Sequence, residues 1–186
     1  MVTLTLVEIQ LKFRCMNSNQ LSKNEYPAVN AEYVETLQNI NLIEELEICV
    51  HDFIRFVQNI PMEKFDYRYA EGKWTIKEII QHIIDAERIF SYRVLRISRN
   101  DLIPLAGFDE NHYNDNTNAN ARNLQDLLTE LATARQSTIQ LFKSLSHEQL
   151  QLVGLVSNAS ISVRAIGFMI IGHQKHHQDV FEQLYL

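Results

Sequence analysis

The chain has 186 residues, 46% of them hydrophobic, and a formal net charge of −6. That is enough to bury a sizeable core and too apolar for disorder. Five Gly and three Pro are too few for the many turns of a sandwich or barrel, so long helices with short connections are the natural reading. The acidic balance, without a basic patch interleaved with aromatics, excludes nucleic acid as an expected partner. No apolar run approaches the roughly 20 residues of a membrane span. Cys15 and Cys49 form neither a disulfide framework nor a CxxC metal site, and no signal peptide is evident, which points to a reducing cytoplasm.

Residues 1–24 read as an irregular N-terminal extension and 25–186 as one helical domain. Thr3 to Leu6 alternates like a strand but has no evident partner, and the expected biological start is Met16. A first helix is expected from about Asn30 to Asn59, with Ile43, Leu46, Val50, Ile54 and Val57 as its apolar stripe and Pro61 ending it. His51 lies off the centre of that stripe. Phe65 to Lys73 reads as a loop anchored by Phe65, Tyr67 and Tyr69. Thr75 with Glu78 three residues on is a capping box, and Trp74 with Ile79 suits a hydrophobic staple. The second helix runs to about Arg99 and buries Ile76, Ile79, Ile80, Ile83, Phe90, Val94 and Ile97. His82 sits at the margin of that face. Asp85, one turn on, could orient a metal-bound imidazole; otherwise Asp85 and Glu87 are solvated or pair with arginines. Arg88, Arg93, Arg96 and Arg99 spread around the helix and read as a solvated face with some ion pairs.

Asn100 to Asn120 is a long connection, and connections longer than about 12–15 residues are uncommon without a reason. Phe108, His112 and Tyr113 suit a lid over a pocket. Asp109 and His112 could be taken for a metal pair, but spacing in a loop guarantees nothing. The third helix spans about Asn123 to Leu145 with Leu124, Leu127, Leu128, Leu131, Ile139 and Phe142 inside. Ser146 with Gln149 caps a short helix, Gly154 to Ile161 reads as a polar loop, and Ser162 caps a fourth long helix from Val163 to about Leu184.

That last helix carries the stretch on which function turns, Gly172 to His177. At about 100° per residue, Ile166, Met169, Ile170, Val180, Phe181 and Leu184 share one apolar face, with His173 and His177 in its middle. His176 falls at the edge and Lys175 points away. A buried imidazole without partners costs about 1–3 kcal/mol per unsatisfied group. Two imidazoles four residues apart face the same side and can pinch one metal ion. The plainer reading is a pair of core histidines bonded to carboxylates or backbone; two at this spacing favour metal. Periodicity alone does not choose between His82 and His51 as a third ligand.

The stretch from Lys73 to Arg88, KWTIKEIIQHIIDAER, resembles the start of the second helix in DinB-like proteins of the YfiT type. Gly172 to His177, GHQKHH, is similar to their fourth-helix motif, and Gly107-Phe108-Asp109 with Tyr113 also suits that family. The resemblance covers about Ala31 to Leu186. It implies an all-α, up-down-down-up four-helix bundle with a long connection between helices 2 and 3, often dimeric. It implies a divalent metal, zinc or nickel, on His82, His173 and His177. Gln174 stands where relatives often have Glu, which argues against a protease of the HExxH kind. The activities implied are metal-dependent hydrolysis of a small molecule, or S-transfer and isomerisation with a low-molecular-weight thiol such as bacillithiol or mycothiol. Asp85 and Glu87 are the candidate bases. The alternative is a non-catalytic, stress-related bundle acting through a protein partner, with His112 or Glu87 closing the metal sphere.

Overall fold

The computed structural model describes residues 16–186. Cys15, the alternation at Thr3 to Leu6 and the expected leader therefore lie outside the described residues. The elements are α1 (Ala31–Glu35), α2 (Leu42–Gln58), α3 (Ile76–Ser98), α4 (Glu110–Asp115), α5 (Leu124–Ser144), α6 (His147–Gln151), β1 (Val153–Val156), β2 (Ala159–Ser162) and α7 (Val163–Leu184). The long helices α2, α3, α5 and α7 form the bundle, with α2 and α3 each packed on both α5 and α7.

Side-chain contacts give the directions. The end of α7 meets the start of α3, where Tyr185 Oη donates to Trp74 O at 2.5 Å, so those two run antiparallel. Lys77 near the start of α3 donates to Asn120 O just before α5, and Arg88 pairs with Glu130 further along, so α3 and α5 run parallel. Lys143 at the end of α5 pairs with Glu47 at the start of α2. The order is up-down-down-up. Parallel neighbours joined in sequence need a connection that travels back along the bundle, about 34 Å for a 23-residue helix. Residues 99–123 make that journey.

The sequence signals at helix starts hold. Thr75 and Glu78 form a reciprocal capping box, as do Ser146 and Gln149, and Ser162 Oγ accepts from Ala165 N at 3.1 Å. Three expectations are corrected. The first helix is not continuous: α1 ends at Glu35 and α2 begins at Leu42. Asn41 restarts the helix by accepting from the amides of Ile43 and Glu44, while Ser18 N donates to Ile40 O and Leu42 N to Met16 O, so the intervening backbone is bonded to the 16–18 segment instead. Residues Gly154–Ile161 are a β-hairpin, not a loop. β1 and β2 pair antiparallel from Val153↔Ser162 to Val156↔Ala159 around Ser157 (φ 50°) and Asn158 (φ 65°). A two-residue turn with both residues left-handed matches the twist of the strands it joins. The long connection contains α4, capped by Asp109, whose carboxylate accepts from Asn111 N and His112 N.

The core follows the apolar stripes, with one extension. Every residue of α7 from Val163 to Gln174 is buried, on all sides of the helix, because α1, the hairpin and α6 cover the face that α2 and α3 leave free. At its far end Leu184 is 45% exposed and Tyr185, at 1%, takes the inward position. Glu87 is not solvated, and the arginine pairing is the alternative that holds. It is buried and paired with the fully buried Arg135, Nε to Oε1 2.7 Å. Arg135 also donates to Leu46 O, Cys49 Sγ and Gln174 Oε1.

Candidate metal centre

α3 presents His82 to α7 at the level of His173 and His177. His82 Nε2 lies 2.9 Å from His173 Nε2, and His177 Nε2 lies 3.1 Å from the same atom. All three ligand atoms fall within 4.8 Å of one another, and among the described residues no fourth His, Cys, Asp or Glu joins them. His51 is exposed on α2 and takes no part.

The protonation chemistry of this cluster is strained without a cation. Burial pushes the His82 imidazole down to about 4, opposed by the negative charge of Glu110. Burial, reinforced by the neighbouring imidazoles, holds His173 and His177 well below the ordinary histidine range. The rings are therefore neutral at pH 7, each with one N–H and one lone pair. His173 Nε2 offers either a single proton or a single in-plane lone pair, so it makes one good hydrogen bond, not two. His177 Nδ1 is buried with no hydrogen-bond partner. A divalent cation among the three Nε2 atoms would remove the conflict at those atoms, with the proton of His177 left on Nδ1. Imidazole nitrogens bind zinc at about 2.0–2.1 Å, and two such ligands on a tetrahedral ion lie about 3.3 Å apart, close to the spacing found here.

The surroundings are aromatic. Trp74 lies 5.0 Å from His82 between ring centres, and Phe90 and Tyr33 meet His173 edge-on at 5.9 and 5.6 Å. Tyr33 comes from α1. It reaches the site because Gly172 lets α1 lie directly on α7: a Cβ at Gly172 would stand 1.8 Å from Tyr33 O. A mid-helix glycine one residue before His173 was the available sign of that close approach. Beside His177 an open cavity of about 250 Å³ is lined by Tyr69, Trp74, Asn111, His176, His177 and Tyr185.

The remaining candidates separate cleanly. Asp85 does not orient His82; it accepts from Gln81 Nε2 at 2.9 Å and lies 3.8 Å from Arg88, and burial raises its pKa. Asp109 is a helix cap and His112 is exposed, so neither contributes a ligand. His176 Nδ1 lies 3.2 Å from the Glu32 carboxylate at the rim. Gln174 turns away from the ligands, accepting from Arg135 Nη2 and donating to Cys49 O, each at 2.9 Å. Arg93 departs from the solvated-face reading of its helix. It is buried, while Arg88 and Arg96 pair with Glu130 and Asp101.

Fold and site together define a class, the four-helix bundle with three imidazoles gathered between its second and fourth long helices. The DinB superfamily model matches residues 45–180, and the chain belongs to that superfamily. Among solved structures it is similar to YfiT from Bacillus subtilis, described as a probable metal-dependent hydrolase with an unusual four-helix bundle topology. The two superpose with a TM-score of 0.71 at 14% identity, over 92% of this chain and 95% of that one. Likeness at that identity carries the fold alone. No curated protein matches the chain.

Proposed function

We propose that His82, His173 and His177 hold one divalent ion, zinc or nickel, and that the chain is a metal-dependent enzyme acting on a small molecule. The reaction is hydrolysis, as the description of YfiT suggests, or transfer involving a low-molecular-weight thiol. The observation that carries this is the convergence of three neutral Nε2 atoms on one point, with no protonation pattern that satisfies them all. Three protein ligands leave a position for water or substrate, where structural zinc sites are closed by four. That difference favours an enzyme over a structural clamp. The ion supplies Lewis acidity to whatever water or thiol occupies the remaining position.

The chain's own residues do the rest. Burial keeps the three imidazoles unprotonated, so their lone pairs are available at neutral pH. Trp74, Phe90 and Tyr33 wall the cluster from bulk water, which strengthens electrostatic effects inside. Gln174 supplies no base, because a carboxamide is not basic, and its amide is held on Arg135 and Cys49 O. The acidic charge acting on both His82 and Tyr33 is that of Glu110, at the start of α4.

The test is metal content. Untagged protein should carry about one Zn or Ni per chain, and His173→Ala should carry none. Wild type that stays empty after reconstitution with either ion would remove the proposal. Loaded protein is then assayed with activated esters and with thiol plus electrophile, each against the His173→Ala blank.

A further inference from the structure

Among the described residues three arginines are buried, and two of them are matched. Arg135 has Glu87 and Arg164 has Glu25. Arg93 on α3 is 8% exposed, and among the described residues no carboxylate pairs with it. Its one hydrogen bond runs from Nη2 to Ala106 O at 3.1 Å, and its guanidinium carbon lies 5.7 and 5.9 Å from the ring centres of Phe90 and Phe108. A guanidinium has five N–H donors in a fork suited to two-point contact with carboxylate or phosphate. A charge held at 8% exposure loses much of its hydration, and the carboxylates that offset this at Arg135 and Arg164 have no counterpart at Arg93 among the described residues.

Arg93 borders a cavity of about 300 Å³ whose other walls include Tyr33, Phe90, Phe108, Ile161 and Met169, and among the described residues Arg93 is the sole charged one in its lining. Tyr33 and Phe90 are shared walls: each touches His173 edge-on as well. We infer that this cavity binds a small amphipathic anion, its carboxylate or phosphate on Arg93 and its apolar body along Phe90 and Tyr33 toward the histidines. As the substrate class of the proposed enzyme this rests on the metal reading; as a binding site it stands without it.

The probes are 2-naphthoate, 2-naphthyl phosphate and the neutral 2-naphthamide, titrated calorimetrically into metal-loaded and metal-stripped protein. At least one anion should bind tenfold or more tightly than the amide in both forms, and which anion does so separates carboxylate from phosphate chemistry. Arg93→Gln should abolish the preference and Arg93→Lys should keep part of it. If the glutamine variant does not fold, the lysine variant and the wild-type comparison still decide. Equal affinity for all three probes overturns the inference. So does a preference that survives in Arg93→Gln and vanishes on stripping, because the anion then sits on the metal. A preference for anions in a protein that holds no metal supports the Arg93 site while the metal reading fails.

Discussion

Gly172→Ala sets two effects of opposite sign against each other. On helix propensity alone, alanine in the interior of α7 should stabilise by about 1 kcal/mol. The added Cβ, however, would lie 1.8 Å from Tyr33 O, 2.6 Å from Tyr33 C and 2.9 Å from its Cα. These are backbone atoms of α1, which no rotamer change can move aside. Ordinary carbon contacts are about 3.5–4.0 Å, so α1 must retreat by about 1.5 Å or more. Overpacking of this kind costs about 1–3 kcal/mol and occasionally more, and backbone on backbone belongs at the upper end. The net expectation is a loss of about 2 kcal/mol, or a Tm lower by about 4–8 °C for a chain of this length. Urea and thermal melts of metal-free wild type and variant measure it. Because Tyr33 rides on α1, metal-loaded variant should also hold its ion less tightly. A Tm equal to wild type, or raised as propensity predicts, would refute the seating of α1 on α7 at this glycine.

Two further outcomes follow from the buried ionisable groups. Glu87→Gln or Arg135→Met, by stranding one partner of a pair that is almost wholly buried, should cost about 3–5 kcal/mol in urea unfolding, whereas Glu87→Leu with Arg135→Met should recover most of that loss. Additive losses in the double variant would show that the pair is not coupled. Metal-free protein should lose stability on acidification. Each of the three clustered imidazoles has a folded pKa below its unfolded value of about 6.5, so the unfolded chain binds more protons and stability present above pH 6.5 drains as pH falls toward the folded values, about 4 for His82. The slope approaches about 1.4 kcal/mol per pH unit per histidine. Urea midpoints at pH 7.5 and 5.0 read it, His82→Asn should flatten it, and a pH-independent midpoint would contradict burial of neutral rings.

What was legible in the chain was local. Helix caps at Thr75, Ser146 and Ser162 are set by residues three apart, and His173 with His177 share a face by helical period, so both were readable directly. The third member of the histidine cluster was not. His82 and His51 sit on two helices that both pack against α7, and which side chain turns inward depends on packing that periodicity at a stripe's margin does not resolve. The burial of Arg93 and the bonds of Gln174 to Arg135 and Cys49 O were beyond local reading for a related reason: those contacts lie on elements distant in sequence. The break after Glu35 comes from competition with residues 16–18, which no helical wheel contains. The hairpin had a weak sign in Ser157-Asn158, two residues tolerant of left-handed backbone, but strands of four residues carry little pattern.

That hairpin has company from Leu105, whose amide donates to Leu155 O and whose carbonyl accepts from Ser157 N, at 2.9 and 3.0 Å. A connection as long as residues 99–123 would otherwise be free to breathe by itself. It is pinned at Leu105, by a single bridge to the edge of the hairpin, and again where Arg93 donates to Ala106 O. Fluctuations that lift it must break those bonds and uncover Leu105, which is 9% exposed. The stretch over Arg93 and the hairpin are thus expected to open together, so amide protons at Leu105 and Ser157 should exchange at matched rates, and exchange at unrelated rates would show that they open separately.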